Sequence, residues 1–321
     1  MSQLQTPVLL LIFNRPDFTQ KTFDEIKKAQ PKQLFVAADG QRKNNTLDAE
    51  QCPKTRAIIE QIDWPCDVKT LFRNKNLGCG KAVSSAIDWF FEQVEAGIIL
   101  EDDCLPNTDF FYFCQEMLAR YKNDTRIFHV NGCNFQKEQP LKDYSYCFYN
   151  FPHIWGWATW KRAWQHYDFE MKSFKNFERN KIIKDLFHEE PFQDHWFYFF
   201  KSMHEKKYNT WDFQWVYTVF MQNGLCVSPE KNLITNLGGP TKNNPCYIPR
   251  EQMDVENIKH PPFIVNCKTK NFWTMTKLWH IKSKYNILHK LKELVRKKLK
   301  TYFPFLVTIK RKLKGEPANV K

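Results

Sequence analysis

The sequence predicts an α/β protein with a mainly parallel central sheet flanked by helices, followed by a basic helical tail. Short apolar runs at 8–13, 33–38, 67–73 and 98–100 alternate with helical stretches, a pattern typical of βαβ units. The charge is divided as well. Sixteen basic and two acidic residues from Lys268 onward give the tail +14, whereas the remainder holds 32 basic and 33 acidic residues, or −1. We therefore expect one catalytic-type domain over 1–267 and a tail over 268–321.

The first two strands end in polar residues that suit a binding site. The apolar run 8–13 is followed by Arg15 and a helical stretch to about Ala29, and the run 33–38 stops at Asp39. The third and weakest strand, 67–73, precedes a small-residue loop with Lys81 at its end, which leads into a helix. Each residue taken alone has an ordinary alternative, namely a surface charge, a turn aspartate and a solvated lysine.

The fourth strand ends abruptly in three acids, Glu101, Asp102 and Asp103. Ligands of open α/β sheets bind at the carboxyl ends of the strands, so this position favours a divalent cation with a phosphorylated ligand. The alternative is a solvated acidic turn. A helical pattern begins directly behind the acids, with Asn107, Thr108 and Asp109 as candidate caps.

Two common nucleotide motifs are absent from the sequence. The Gly-x-Gly-Lys segment ending at Lys81 lacks the spacing of a P-loop, and no Gly-x-Gly-x-x-Gly follows the first strand. The polar residues at the strand ends nevertheless place cations and anions on one rim. This combination predicts a nucleotide-diphosphate site with a metal.

Two aromatic segments follow. Four tryptophans, Trp157 among them, lie within 151–164, where they either stack on a sugar or base or form a core corner. Further on, Asp212 opens a helical pattern in an aromatic setting, either as a capping residue or as a general base whose proton affinity is raised by burial.

Several of these segments together resemble the N-acetylglucosaminyltransferase I family and its bacterial relatives, which share the GT-A fold. The segment 98–113 resembles the family's Glu-Asp-Asp motif, 12–15 its first strand and nucleotide-contacting Arg, and 38–39 its uracil-side Asp. The segment 151–157 resembles a family corner motif, and Trp211-Asp212 its catalytic base, so that the similarity covers roughly 6–240. Phe213 departs from the family pattern, which has a second Asp there.

The resemblance implies a division of roles. Asp103 would bind Mn²⁺ or Mg²⁺, with Glu101 and Asp102 beside it, and Arg15 and Asp39 would hold the uridine of a UDP-sugar. Asp212 would deprotonate a hydroxyl of a glycan or lipid-linked saccharide, with inversion at the sugar, which could be N-acetylglucosamine or a related hexose. His260 is a candidate metal ligand from a closing loop, with a structural histidine as the alternative. The turn-rich loop 236–245 is either a lid over the donor or an ordinary exposed loop.

The tail predicts a membrane-surface helix. Apolar residues from Leu278 to Tyr302 recur at three- and four-residue steps with lysines and arginines between them, a pattern that fits an anionic membrane. A solvated helix packed on the domain is the alternative; no nucleic-acid-binding motif is present, so we expect no nucleic acid partner. The 8–13 run is too short for a signal or a membrane span. We therefore expect a cytoplasmic enzyme, peripheral on the inner membrane face, in bacterial surface polysaccharide or lipopolysaccharide synthesis.

Two other functions stay open at this point. A sugar nucleotidyltransferase would be expected to carry a glycine-rich, basic loop right after the first strand, where this chain has Asn14-Arg15-Pro16-Asp17. A non-catalytic, membrane-active protein on the same fold would tolerate the loss of both Asp103 and Asp212. The ten cysteines are scattered singly and predict reduced thiols, although their even count leaves disulfides open.

Overall fold

A computed structural model of the chain describes residues 3–135, 143–187, 190–238 and 248–261. These residues form a mixed α/β fold around an eight-stranded sheet with helices on its faces, which confirms the predicted fold class. The predicted tail over 268–321, the boundary before it and most of the predicted lid loop lie outside the described residues.

The strands of the described ranges agree closely with the apolar runs in the first hundred residues. They are β1 (Val8–Ile12), β2 (Gln33–Ala38), β3 (Asp67–Phe72), β4 (Ala96–Glu101), β5 (Cys104–Pro106), β6 (Ile127–Asn131), β7 (Tyr146–Tyr149), β8 (Trp157–Trp160), β9 (Leu225–Pro229) and β10 (Ile234–Asn236).

The helices connect these strands and cover the sheet. They are α1 (Pro16–Ala29), α2 (Thr46–Ala57), α3 (Gly78–Phe91), α4 (Thr108–Arg120), α5 (Lys161–Trp164), α6 (Phe174–Arg179), α7 (Ile183–Leu186), α8 (Glu190–His204) and α9 (Asp212–Met221). A 3₁₀ turn at Ile58–Gln61 follows α2. Of the predicted caps of α4, Asn107 is the one that acts, accepting a hydrogen bond from the Phe110 amide at 3.0 Å.

One half of the sheet is entirely parallel, in the order β3-β2-β1-β4. Leu10 pairs with Val36 on one side and with Leu100 on the other. Because parallel strands run in one direction, the residues that follow β1, β2 and β4 emerge at the same edge of the sheet. This edge carries the candidate site.

The other half of the sheet is mixed. β8 runs antiparallel to both β4 and β6, β9 runs parallel to β6, and β7 closes the sheet as an antiparallel edge strand. A separate antiparallel pair, β5 with β10, starts directly after the acids. β10 follows β9 of the mixed half of the sheet, so its pairing with β5 places this part of the chain beside the acids that follow β4.

Side chains of the central strands alternate between two cores, as expected for strands covered on both faces. Leu10 packs with Phe23 of α1 on one face, whereas Leu9 packs with Phe90 of α3 and Trp215 of α9 on the other. The sheet is thereby held rigidly beneath the site.

None of the helices in the described ranges combines the length and the apolar character that crossing a membrane requires.

Cys147 in β7 is disulfide-bonded, whereas the other described cysteines are free thiols. The expectation of reduced thiols throughout is therefore wrong at this position, because the scattered spacing of cysteines in a sequence does not show which of them meet in space.

Candidate active site

The candidate site is built at the carboxyl edge of the parallel strands. Asp102 is fixed there by two backbone contacts: its amide donates to the Leu11 carbonyl at 3.0 Å, and its carbonyl accepts from Thr22 Oγ1 of α1 at 2.9 Å. The strand register thus determines where the acids after β4 stand relative to the loop after β1.

Arg15 pairs with two of the three acids. Its Nη1 lies 3.1 Å from Asp103 Oδ2 and its Nε lies 3.4 Å from Asp102 Oδ2, while Nη2 also hydrogen bonds to Asp102 Oδ1. The Asp102 side chain is 3% exposed, Asp103 17% and Arg15 42%. Asp103 therefore presents its carboxylate at the surface of the cluster, while Asp102 is held inside it.

The acids carry more negative charge than Arg15 compensates. Burial raises the pKa of Glu101 to about 8, and the charges of Asp103, Asp102 and Asp212 add to the rise. Burial likewise raises the pKa of Asp102 to about 6, against the opposing charge of Arg15. Such a cluster gains stability when a further cation arrives.

The structure brings Asp212 to the same cluster. Asp212 is the first residue of α9, and its charge acts on Glu101 at the end of β4. Thr210 Oγ1 donates a hydrogen bond to Asp212 Oδ1. Burial raises the pKa of the Asp212 carboxyl, and the Thr210 hydrogen bond opposes the rise.

Asp39 lies at this edge but is already engaged. Its carboxylate accepts hydrogen bonds from the amides of Gly40 at 2.9 Å, Leu77 at 3.0 Å and Gly78 at 3.0 Å. Asp39 therefore braces the glycine loop, residues 77–80, from the β2 side. The sequence did not indicate this role, and contact of Asp39 with a nucleotide stays a prediction.

The structure also places two further residues predicted to contact the nucleotide sugar, Lys81 and Trp157. Lys81 is exposed on the first turn of α3, and its charge adds to the hydrogen bond from Lys206, which is the main cause of the lowered pKa of Glu170. Trp157 is 1% exposed, stacked on His129 at 5.0 Å and on Trp211 at 5.7 Å between ring centroids. This packing is what the alternative of a core corner predicts, and contact of Trp157 with a nucleotide sugar stays a prediction.

His260 is not brought to the acids. Its Nδ1 hydrogen bonds with Tyr146 Oη at 3.0 Å, and its Nε2 lies 3.5 Å from Glu116 Oε1. Tyr146 belongs to β7, which is separated from β4 by three strands of the sheet. Both ring nitrogens of His260 therefore face other side chains, and its role as a metal ligand stays a prediction.

The glycine loop contributes residues that sequence reasoning missed. Cys79 is exposed on this loop, yet the surrounding protein partly desolvates its thiol and raises the thiol pKa to about 12, with the charges of Glu101 and Asp212 as the next causes. Asn209 Oδ1 accepts a hydrogen bond from the Gly80 amide at 3.0 Å. The Gly-x-Gly spacing was the available signal, but nothing in it identified the partner 129 residues away.

The described start of the loop 236–245 contacts the acids. The Leu237 amide donates to the Asp103 carbonyl at 2.7 Å. A Cβ on Gly238 would lie 2.4 Å from Asp103 Oδ2 and 3.2 Å from Arg15 Nη1. The backbone at Gly238 therefore passes close over the ion pair, and a larger residue there would have to displace one of its two side chains; the lid hypothesis for the remainder concerns residues outside the described ranges.

The donor set fits a metal that is held jointly with a ligand. Within the described ranges, no group of three or more His, Cys, Asp and Glu side chains forms a ready metal cage. One surface carboxylate, Asp103, in a cluster with excess negative charge is the arrangement by which Mg²⁺ and Mn²⁺ are bound with phosphates and water completing their coordination.

Comparison with known proteins yields distant structural likenesses. No protein-family model and no curated protein matches the chain. Solved structures that resemble it include residues 1–349 of TarS from S. aureus, with 12% identity, a TM-score of 0.33, and coverage of 49% of this chain and 47% of that one. HddC from Yersinia pseudotuberculosis has 11% identity, a TM-score of 0.29, and coverage of 49% and 78%.

The inositol-1-phosphate CTP transferase from T. maritima has 9% identity, a TM-score of 0.30, and coverage of 51% and 74%. The chain thus spans about half the length of the TarS structure. The resemblance to the N-acetylglucosaminyltransferase I family stays a prediction.

Proposed function

We propose that this protein is a metal-dependent glycosyltransferase that moves a sugar from a UDP-sugar to a hydroxyl group of a glycan acceptor. The observation that supports this most strongly is that the segment before Asp212 is joined to the glycine loop at the carboxyl edge of the sheet, with the Gly80 amide 3.0 Å from Asn209 Oδ1. The charge of Asp212 thereby acts on Glu101. Sugar transfer requires a cation site for the diphosphate and a base for the acceptor in one pocket, and these carboxylates are suited to the two tasks.

On the donor side, Asp103 would hold Mn²⁺ or Mg²⁺ together with the diphosphate, and Arg15 would add positive charge beside it. The bound metal supplies Lewis acidity that stabilises the departing diphosphate, so a protein acid is not required there. Glu101 and Asp102 would stand beside the ribose and the metal-bound water. The 42% exposure of Arg15 supports this role, since its guanidinium is accessible to an anionic ligand.

On the acceptor side, Asp212 would accept the proton of the attacking hydroxyl. The acceptor oxygen forms a bond to the anomeric carbon while the bond from that carbon to the diphosphate oxygen breaks, and UDP leaves with the bonding electrons. Attack from the face opposite the leaving group inverts the configuration. Burial, which raises the pKa of Asp212, makes its carboxylate a stronger base for this step.

The finer assignments rest on the family resemblance and on the tail sequence. They are N-acetylglucosamine or a related hexose as the sugar, a lipid-linked saccharide as the acceptor, and bacterial surface polysaccharide or lipopolysaccharide synthesis as the process. A position on the inner face of the cytoplasmic membrane, through the basic tail, belongs with them.

Release of UDP from a panel of UDP-sugars, with Mn²⁺ and with water or a saccharide as acceptor, tests the proposal. We expect Asp212→Asn to reduce UDP release by about 10²- to 10⁴-fold, with UDP affinity unchanged. Glu95→Gln is the matched control, because Glu95 is an exposed acid just before the other end of β4. Equal turnover in Asp212→Asn and wild type would reject Asp212 as the base. Formation of pyrophosphate from UTP and a sugar 1-phosphate would instead identify a nucleotidyltransferase.

A further inference from the structure

Four aromatic side chains form a continuous array that begins next to Asp212. Phe213 is stacked on Phe199 of α8, with the ring centroids 4.6 Å apart and the planes within 8°. Tyr198 meets Phe199 edge-on at 5.4 Å. The Tyr198 hydroxyl lies 3.4 Å from the hydroxyl of Tyr208. We call this array of Tyr198, Phe199, Tyr208 and Phe213 the aromatic shelf.

The outer end of the aromatic shelf is open to solvent. Tyr198 is 48% exposed and Tyr208 is 49% exposed, and in the described part of the chain they are the two aromatic side chains with such large exposure. They come from different segments and still converge. A tyrosine pair of this kind offers rigid apolar ring surface together with hydroxyl groups, at a low cost in side-chain entropy.

Both ends of the aromatic shelf are tied to the residues around the candidate base. Phe213 follows Asp212 directly in the chain, and Tyr208 precedes Asn209, whose side chain is hydrogen-bonded to the glycine loop. The aromatic shelf therefore adjoins, along the chain, the segment that carries Asp212 and is bound to the glycine loop.

The lysines on the segments that carry the aromatic shelf have their charges compensated. The nearby lysines are each paired with a glutamate: Lys201 with Glu178 at 2.9 Å, Lys206 with Glu170 at 2.6 Å, and Lys207 with Glu205. A surface without surplus positive charge disfavours a phosphate group or an anionic lipid headgroup as the ligand. Flat apolar faces with hydroxyl partners match the rings of neutral sugars.

We propose that the aromatic shelf is the subsite that binds a neutral sugar ring of the acceptor and presents its hydroxyl to Asp212. This inference rests on the proposed function, since it defines the acceptor of the same reaction. It assigns specificity to Tyr198, Tyr208 and Phe213, which act by stacking and hydrogen bonding. They take no part in the proton transfer.

The test is a titration of the full chain, saturated with UDP and Mn²⁺, with lactose, maltose, cellobiose and chitobiose, followed by saturation-transfer NMR. We expect at least one disaccharide to bind with transfer to its ring C–H protons, and Tyr208→Ala and Phe213→Ala to weaken its binding by about tenfold. Tyr208→Phe, which keeps the ring, should bind within about threefold of wild type. Leu47→Ala is the matched control, because Leu47 is 55% exposed and lies on α2.

Tyr198→Ala and Tyr208→Ala keep the test decisive if Phe213→Ala fails to fold, because both tyrosines are surface residues. Unchanged disaccharide affinity in these two variants would overturn the proposal, as would the absence of saccharide binding by the wild type. Binding of phosphatidylglycerol vesicles that depends on Tyr198 and Tyr208, without saccharide binding, would overturn it in favour of a membrane contact.

UDP binding in the same samples is the separate readout for the proposed function. Disaccharide binding without any UDP binding would reject the proposed donor site and would support the aromatic shelf as a saccharide site. If UDP binds but substitutions in the aromatic shelf leave the disaccharide affinities unchanged, the donor site is supported and the shelf is rejected as the acceptor subsite.

Discussion

Cys79 lies where the glycine loop, the acids after β4 and Asp212 approach one another. The Cys79 side chain is exposed, and partial desolvation of its thiol by the surrounding protein raises the thiol pKa to about 12, with the negative charges of Glu101 and Asp212 as the next causes. Because the thiolate is the reactive form, the alkylation rate of this cysteine reports the charges around it. It provides a measure of the site that needs neither substrate nor metal.

We expect Asp212→Asn to speed alkylation of Cys79 by roughly 3- to 10-fold at pH 8, because loss of a neighbouring negative charge lowers the thiol pKa. Glu101→Gln should act in the same direction. Mass spectrometry of the Cys79 peptide after timed iodoacetamide treatment gives the rate, with Glu95→Gln as the control that should leave it unchanged. An unaltered rate in both site variants would mean that these carboxylates do not approach Cys79 in solution.

Single residues also show where sequence reasoning reaches its limit. Acids at the end of β4 were predictable as a site, because strand direction alone places them at the ligand-binding edge. The burial of Trp157 among other rings, and the use of Asp39 to brace residues 77–80, follow from tertiary packing. Residue type and local spacing do not reveal such partners.

At the scale of secondary-structure elements, the site depends on the contact between the glycine loop, residues 77–80, and the segment before α9. The start of α3 meets the segment before α9 through Asn209, and a Cβ on Gly80 would lie 2.9 Å from both Asn209 Oδ1 and the Thr210 carbonyl oxygen. The backbone oxygen cannot move without shifting the segment that carries Asp212. The absence of a side chain at Gly78 and Gly80 thus allows residues 77–80 to lie close to the segment that carries Asp212.

Gly80→Ala should separate these loops, destabilising the protein by about 1–3 kcal/mol and reducing UDP release from a UDP-sugar in the same assay as Asp212→Asn. Urea unfolding gives the free energy of unfolding. Lys81→Ala changes the next residue, which is exposed, and its free energy of unfolding should stay within about 0.5 kcal/mol of wild type. A stable and fully active Gly80→Ala variant would show that the junction does not position Asp212.

On the scale of the whole molecule, the mixed half of the sheet contains a buried network of hydrogen bonds around His129 of β6. His129 accepts from Trp215 Nε1 at 3.1 Å through Nδ1, so its Nε2 donates to the His153 carbonyl at 3.1 Å, as the neutral tautomer requires. Burial lowers the pKa of both His129 and His153 to about 3. In the unfolded chain these side chains bind protons below about pH 6.5.

The sign of the pH dependence follows from these values. Below about pH 6.5 the unfolded state binds protons that the native state does not, so stability falls as the pH drops towards 3, by about 1.4 kcal/mol per pH unit for each histidine. We expect His153→Phe, which keeps an aromatic ring beside Phe135, to reduce the slope between pH 6 and 4 by about one proton. Urea unfolding at several pH values measures it, and an unchanged slope would contradict the buried neutral state of His153.

The two halves of the molecule differed in how far they could be predicted. β1, β2 and β4 were recognisable because each contains a short apolar run bounded by polar or turn residues, whereas β3, with Lys69 and Thr70 inside it, gave a weaker signal. The strands β6 to β9 come from distant segments and pair in both directions, with the short helices α5 to α7 between β8 and β9. No local periodicity encodes such pairings, so the position of His260 beside β7 was not foreseeable.

Calorimetric titration of the protein with UDP, with and without Mn²⁺, tests the central claim most directly. We predict binding that requires the metal and that weakens at least about tenfold in Asp103→Ala, while Glu95→Gln binds like wild type. Absence of UDP binding in the presence of Mn²⁺, or equal affinity in wild type and Asp103→Ala, would contradict the assignment of the acids after β4 as the donor site.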